Sequence, residues 1–476
     1  MPGGRRNPLS VSRIVEAVKN AKSNVHDAAV AQVSQSLEKA RLGEIPFVDI
    51  EIQFIGASGL PKMDVVGTAD PYFVAHIDDK TSFVSTVKSQ TLAPVWNEVW
   101  RVKNVPAVAN LYVEVMDKDD DRPHDDYFGK FKVSVDAGTK EVDIDGPLFR
   151  KSRGSFWLKI DSHPSTDDDP SKFPYLFDGP IRYSRHFSPT VGRLTNLNDA
   201  RLYSTWKMYL RSVPVVFGDS FQGWNRHYKA AQNIFQGPTS LAVRSGIQAG
   251  HRMLYARKVT NVFGVMDTPE DVKQLLRAGS VNPNTAPLAT GAIGVPPPAH
   301  ATRIKPAVYT YIISAEDSSF RFSETGAAFF VDFASKHALH SNCAEQVRYS
   351  GEFHPRPVGG WAAFDDSTPD DEVEWELVID NNSGTYAPDK ALLSKVEELF
   401  ALNFPWFRVY AWDREDPRLE ESVSACREYA LKWRGVSSEE LQPHTKAGEE
   451  TLEHQVEAAR AQEVSEAAGV ERDDVN

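Results

Sequence analysis

The chain has 476 residues, with 53 Lys and Arg against 66 Asp and Glu, for a formal net charge of −13. Hydrophobic residues at 41% and charged residues at 25% are those of a folded protein of several domains, which excludes wholesale disorder. The acidic excess speaks against nucleic acid as a partner. Two cysteines, Cys343 and Cys426, are too few for a disulfide framework or a thiolate metal site, and fit a reducing compartment.

The N-terminus leads into polar residues rather than the apolar core of a signal peptide. No apolar run approaches the roughly 18 residues that a membrane-spanning helix needs. The chain therefore reads as cytoplasmic, with any membrane contact peripheral. Residues 1–44 read as an amphipathic helix over 10–42, with Val11, Ile14, Val15, Val18, Val25, Val33 and Leu37 near helical spacing. Its Val and Ala stripe lacks Trp and Phe, which suits packing or a protein partner better than lipid.

Residues 45–161 switch to period two. Short strands are expected at 47–54, 72–77, 83–87, 95–102, 111–116, 128–135, 142–144 and 155–160, an all-β eight-stranded antiparallel sandwich. Residues 162–194, opening His163-Pro164-Ser165-Thr166-Asp167-Asp168-Asp169-Pro170, read as a linker. Residues 195–278 read as mostly helical; Thr268-Pro269-Glu270-Asp271 places a cap, a Pro and two acids at one helix start. Residues 279–306 are a linker rich in Pro, Gly and Ala. Residues 307–434 mix strands near 308–313, 320–322, 347–353, 373–379 and 407–412 with helices near 327–341, 389–402 and 416–433, an α+β (or α/β) C-terminal domain. Residues 435–476 form an acidic tail, helical or disordered, in which eleven acids against three bases supply −8 of the net charge. The tail is a second surface for a protein partner.

Carboxylates crowd into two loops of the period-two segment. The first runs Leu60-Pro61-Lys62-Met63-Asp64-Val65-Val66-Gly67-Thr68-Ala69-Asp70-Pro71-Tyr72. The second runs Asp117-Lys118-Asp119-Asp120-Asp121-Arg122-Pro123-His124-Asp125-Asp126-Tyr127-Phe128-Gly129. Like charges so close repel unless a cation sits between them, and hard oxygen ligands at i and i+2 suit Ca²⁺, which takes 6–8 oxygens in flexible geometry. A solvated acidic turn is the competing reading.

These residues carry a resemblance. The segment resembles a C2 domain, the calcium- and phospholipid-binding module of protein kinase C and the synaptotagmins. Gly59-Leu60-Pro61, Asp64 and Thr68-Ala69-Asp70-Pro71-Tyr72 match the family's first calcium loop. Leu92-Ala93-Pro94-Val95-Trp96-Asn97-Glu98 matches its Asn-Pro-x-Trp-Asn-Glu turn, with Ala for Asn. Asp117, Asp119 and Asp126-Tyr127-Phe128-Gly129 match the third loop and the strand after it. The resemblance covers residues ~45–161 and implies calcium loops at one end of the sandwich. A first strand directly before the first loop and a last strand at 155–160 suggest the circularly permuted topology. The implied Ca²⁺ ligands are Asp64, Asp70, Asp117 and Asp119. The fifth is Asp126 counting back from Gly129, or Asp125 counting forward from Asp117; Asp126 is preferred and Asp125 stays open. Val65 and Val66, at the first loop's tip, are the implied membrane contacts. The implied function is calcium-dependent peripheral binding to anionic phospholipid, an electrostatic switch that recruits the C-terminal module in signalling or membrane trafficking.

Two further patterns bear on catalysis. Phe217-Gly218-Asp219-Ser220-Phe221 resembles the nucleophile block of GDSL-type esterases, but no Asp-x-x-His follows near the end of the chain, and a structural turn is expected. Lys336-His337-Ala338-Leu339-His340 puts His337 and His340 on one helix face, with Asp332 a turn earlier and His354 after the next strand. Asp380-Asn381-Asn382-Ser383-Gly384-Thr385-Tyr386 ends a strand. If the two meet, His337, His340 and Asp380 would form the site of a calcium-recruited enzyme acting on a lipid or membrane-associated substrate. Packed histidines and ordinary turn chemistry are the competing and stronger reading.

Overall fold

The computed structural model describes residues 35–62, 68–119, 125–146, 152–186, 205–238, 240–257, 261–277, 303–325 and 335–433. Most of the expected 10–42 helix, Asp64, Val65, Val66, Asp332, the Pro-rich linker up to 302 and the acidic tail lie outside these residues. Within the expected N-terminal helix, 35–41 is helical. There Ala40 is buried and Leu37 packs on the core of the unit that follows. The chain divides into two compact units, Met1–Asp178 and Gly179–Asn476.

The first unit is built of β1 (Phe47–Ser58), β2 (Pro71–Ile77), β3 (Thr81–Val84), β4 (Val95–Pro106), β5 (Asn110–Asp117), β6 (Asp126–Ser134), β7 (Gly138–Asp145), β8 (Ser152–Pro164) and β9 (Leu176–Gly179). They run in the order β3-β2-β5-β6-β7-β8-β1-β4-β9. A single residue pair, Lys130 with Asp145, joins β6 to β7, and the path turns there into two layers. Aromatic side chains from both layers fill the space between: Phe54 of β1 lies 4.6 Å from Phe73 of β2, and Phe156 of β8 meets Phe73 edge-on at 5.4 Å. The strand before the first aspartate loop, β1, pairs with the last long strand, β8, as the permuted topology requires.

Residues 162–178 differ from the expected linker. They form a strap across the end of the sandwich remote from the aspartate loops. Its hub is Asn104, fully buried in β4, with φ at 57°, a left-handed conformation Asn adopts more readily than most residues. Its Nδ2 donates to Asp167 Oδ2 at 2.8 Å and to the Phe173 carbonyl at 3.0 Å, and its Oδ1 accepts from Ser165 Oγ at 2.6 Å. Tyr175 then enters the core and donates its hydroxyl to Asp78 Oδ2 at 2.9 Å. Asn104→Ala removes the hydrogen-bond partner of three part-buried groups of the strap and is expected to cost about 2 kcal/mol. Hydrogen exchange of the full chain should show lost protection in β4 and the strap; unchanged protection there would refute the hub.

The second unit carries β10 (Ile181–His186), β11 (Thr205–Tyr209), α1 (Val213–Phe217), β12 (Gln222–Gly223), α2 (Lys229–Phe235), α3 (Ser240–Leu254), β13 (Val262–Met266), α4 (Pro269–Leu276), β14 (Tyr309–Ser314), β15 (Ser319–Glu324), α5 (Lys336–His340), β16 (Gln346–Pro357), β17 (Trp375–Asp380), α6 (Leu393–Asn403), β18 (Arg408–Trp412) and α7 (Pro417–Trp433). One sheet runs β13-β10-β11-β15-β14-β16-β17-β18, with β12 pairing β16. All pairs are antiparallel except β17 with β18, which are joined through α6. The segments read as linker and as mostly helical thus contribute β10, β11 and β13 to the same sheet as the strands beyond residue 307. The capped helix is α4: Thr268 accepts from the Asp271 amide and Asp271 reaches back to the Thr268 amide, a full capping box.

The two faces of this sheet differ in kind. Trp206, Met208, Phe320, Phe322, Tyr311 and Phe353 share one hydrophobic core with Leu275 and Leu276 of α4 and Val396, Leu399 and Phe400 of α6. The alternate residues are polar. Register aligns His186, Thr205, Ser323, Thr310 and Glu352 in one row across five strands, and the Glu352 amide reaches Asp380 Oδ1 at the end of β17.

Candidate functional site

The aspartate site begins from strand alternation. In β5, Leu111, Val113 and Val115 face the core, and Asp117 occupies the next inward position, 1% exposed. A carboxylate there must be compensated. Its Oδ1 accepts the Asp70 amide at 2.7 Å, tying the third loop to the first. Register sets Pro71 opposite Asp117 and Asp117 opposite Asp126, so Asp70, Asp117 and Asp126 stand at adjoining strand ends. Asp70 Oδ1 accepts the Gln90 amide at 2.6 Å, and the Asp70 carbonyl accepts the Lys118 amide at 3.0 Å.

The Trp-Asn-Glu turn supports this end from below. Trp96 donates its indole N–H to the Thr86 carbonyl at 3.1 Å, and Glu98 accepts both the Thr86 amide and its hydroxyl. The Thr91 amide reaches the Ala69 carbonyl at 2.8 Å, fixing the first loop's return.

Asp125 is held by two side chains. Lys118 Nζ sits 2.5 Å from its Oδ1 and the Tyr72 hydroxyl donates to Oδ2 at 2.7 Å. Burial pushes the Asp125 carboxyl up, but the Lys118 and Tyr72 hydrogen bonds and the Lys118 charge outweigh it and hold it below the usual range.

The donors here are carboxylate oxygens, the hard set that suits Ca²⁺. Among the described residues, no three His, Cys, Asp or Glu side chains converge into a metal-holding group, and Asp64 lies outside them. Asp70, Asp117 and Asp126 stand at adjoining strand ends without converging as a three-carboxylate group.

The second set, His337, His340 and Asp380, is placed in the interior. His337 Nε2 meets the Gly351 carbonyl at 3.0 Å. A Cβ on Gly351 would lie 2.0 Å from the Asp380 carbonyl oxygen, so only Gly fits where β16 passes β17. His337 and Asp380 therefore share Gly351 as a neighbour. His340 belongs to another group: Nδ1 meets the Tyr255 hydroxyl at 2.6 Å and Nε2 meets Ser323 Oγ at 2.9 Å. Asp380 Oδ1 accepts the amides of Glu352 at 2.7 Å and Asn382 at 2.8 Å. His354 Nε2 meets Ser422 Oγ at 2.8 Å. The three histidines are committed to hydrogen bonds with the elements around them, and Asp380 to the amides of β16 and of its own turn. Phe217–Phe221 is a turn closing α1, with Arg348 Nη1 donating to the Gly218 carbonyl at 2.6 Å.

Sequence reasoning missed the rest of this polar layer. Lys207 and Arg321 both pair with Asp317, at 2.7 and 3.0 Å, and Arg321 also donates to the His340 carbonyl at 2.9 Å. The available signal was alternation within β11, too short to register as an element, and within β15, legible only over 320–322. Burial drives down the pKa of His186 to about 3, His251 to about 4, His337 to about 4 and His354 to about 3, and drives His340 well below its usual value. Below pH ~6.5 the unfolded chain takes up protons that these folded histidines refuse, so their stabilisation is present above that pH and lost as pH falls. Each costs up to about 1.4 kcal/mol per pH unit. Asp380 and Glu352, raised by burial, act in the opposite sense. The net expectation is a second unit that unfolds at markedly lower urea at pH 5 than at pH 7; equal midpoints would refute it.

A C2 domain family model matches residues 48–159. Synaptotagmin-1 of Aplysia californica is 28% identical over 188 residues, 36% of this chain and 39% of that protein. Synaptotagmin-1 of Homo sapiens is 30% identical over 172 residues, 33% of this chain and 36% of that protein. The chain thus spans under half the length of these relatives. Among solved structures, a C2 domain of plant Extended Synaptotagmin 1 aligns at 22% identity and a TM-score of 0.23, covering 26% of this chain and 98% of that one. A calcium-bound pair of C2 domains from Extended-Synaptotagmin 2 aligns at 22% identity and a TM-score of 0.23, covering 30% and 58%. No described helix is long and apolar enough to cross a membrane.

Proposed function

Since residues 48–159 are a C2 domain, we propose that the chain is a calcium-dependent peripheral protein whose aspartate loops dock on anionic phospholipid and localise residues 179–476 there. The observation that carries this reading is the shared strand end of Asp70, Asp117 and Asp126, linked by the bond from the Asp70 amide to Asp117. Without metal, the loop end is acidic and is repelled by an anionic surface. Calcium, when bound, supplies positive charge and coordination positions for lipid oxygens. Asp64, Asp70, Asp117, Asp119 and a fifth aspartate hold the ion; Val65 and Val66 meet the headgroup layer. The contact is shallow and mainly electrostatic, and weakens with salt. Residues 10–42 and the acidic tail are surfaces for a protein partner, and the setting is cytoplasmic signalling or membrane trafficking.

The test is sedimentation of the full chain with vesicles containing phosphatidylserine. Binding is expected with calcium at low salt and absent in chelator or with neutral phosphatidylcholine vesicles. Equal binding in chelator would overturn the reading.

A further inference from the structure

We propose that the outer side of α2 and α3 is a second membrane face, which meets anionic phospholipid and adds to the hold of the aspartate loops. This rests on the reading above that the chain docks on such a surface, and names the part of the second unit that touches it.

Charge is segregated along the chain. Between Asp219 and Asp267 there is no acid, while Arg226, Lys229, Arg244, Arg252, Arg257 and Lys258 supply six positive charges. This stretch of one sign sits in a chain whose net charge is −13. Unmixed charge of this kind raises a local field that attracts anions.

The fold turns the stretch outward. Ile234 of α2 and Ile247 and Leu254 of α3 pack on Ala338, Leu339 and Cys343. Trp224 and Phe235 pack on Ile312 of β14 and Val347 of β16. Ile312 alternates with Tyr311, so this layer covers the sheet face opposite the aromatic core. His251 Nδ1 meets the Leu339 carbonyl at 2.8 Å and fixes the rotation of α3. The other side of α3 is left to solvent: Leu241 is 79% and Met253 38% exposed, with Ser245, Ala249 and Arg252 also exposed. Where the chain enters α2, Arg226, Tyr228 and Lys229 are exposed too. Glu345 stands 4.0 Å from Arg244, but among the described residues no carboxylate pairs with Arg226, Lys229 or Arg252.

The occupant follows from this mixture. The bases are spread over the entry to α2 and along α3, with Tyr228, Leu241 and Met253 exposed among them. A fluid anionic surface meets spread charges without register, gaining about fivefold in affinity per Lys or Arg. It also takes exposed Leu and Met side chains into its headgroup layer. An acidic protein would have to match the charges position by position. Because both faces belong to one chain, the second contact is intramolecular once the first has formed, and multiplies its affinity.

Sedimentation of the full chain with phosphatidylserine vesicles in calcium tests this. Arg226→Gln with Lys229→Gln and Arg252→Gln should weaken binding on the order of a hundredfold and flatten its salt dependence. Arg226→Lys with Arg252→Lys keeps the charges and should bind as wild type. All three positions are exposed, so melting temperatures should match the wild type. Contact is read directly at Ser245→Cys. Cys343 and Cys426 are buried, so a polarity-sensitive dye goes to the new thiol. Its emission should shift to the blue with phosphatidylserine vesicles and not with phosphatidylcholine. Wild-type binding by the triple Gln variant, or an unshifted dye on sedimented protein, would overturn the proposal and leave the calcium reading standing. A wild type that sediments equally in chelator, with that binding lost in the triple Gln variant, would overturn the calcium reading and keep the face. A wild type that stays in the supernatant with phosphatidylserine and calcium would overturn both.

Discussion

Full-length protein carrying Asp117→Asn and Asp119→Asn is expected to stay in the supernatant with phosphatidylserine vesicles at calcium concentrations that sediment the wild type. The expected loss is at least about a hundredfold in calcium requirement, because two charged donors leave a site whose affinity follows ligand charge count. Asn retains a carbonyl oxygen of similar size, which can still accept the Asp70 amide in place of Asp117 Oδ1, so the fold should survive. Circular dichroism unchanged alongside lost sedimentation would attribute the effect to charge. Sedimentation as strong as wild type would remove these two residues from the mechanism. Raising salt should weaken wild-type binding in parallel, since a shallow electrostatic contact is screened over about 8 Å at physiological ionic strength.

The second large effect is expected at Arg303→Met. The Arg303 side chain is fully buried, and its guanidinium meets Asp366 Oδ1 at 2.5 Å, Asp370 Oδ1 at 2.7 Å, the Tyr429 hydroxyl at 2.9 Å and the Thr368 carbonyl at 2.8 Å. It also lies 4.8 Å over the Phe364 ring. This one side chain therefore ties the start of the described C-terminal segment to the 364–370 turn and to α7. Truncating it takes a buried guanidinium from two part-buried carboxylates and from its place over Phe364, and is expected to cost about 3 kcal/mol. Arg303→Lys keeps the charge but not the planar fork, and should fall between. Adding Asp366→Asn and Asp370→Asn to Arg303→Met should recover part of the loss by removing the negative charges the guanidinium had offset. Urea unfolding with hydrogen exchange at α7 reads all four proteins; a loss under about 1 kcal/mol for Arg303→Met would show the cluster to be incidental.

Legibility in the sequence followed range. The C2 strands were legible because inward and outward residues alternate over long stretches, as in Ile50, Ile52 and Phe54 of β1. The crowding of the loop aspartates was legible because their spacing is local. The capped start of α4 was legible because Thr268, Pro269 and Asp271 act within one turn. The strap was not: His163–Pro170 has linker composition, and what holds it is Asn104, far away in β4. Likewise β10 and β11 are short, six and five residues, with Arg, Lys, Ser and His among them, so their hydrophobic signal is halved. His337 and His340 do share one helix, but spacing could not say that Gly351 and Tyr255 would take their nitrogens.

The pairing of β11 with β15 joins Thr205 to Ser323, across helices α1 to α4 and the Pro-rich stretch. The β11 edge cannot be covered until β15 has left the ribosome. Until β15 is made, β11 and β10 wait with one edge open, and non-local pairing of this kind is slow. A fragment starting at residue 307 would carry the opposite defect, an aromatic-rich β15 paired with β14 on one side and bare on its β11 side. Such a piece is expected to aggregate on expression. The autonomous product of translation is the whole stretch from β10 to α7, matured only after its last helix is released.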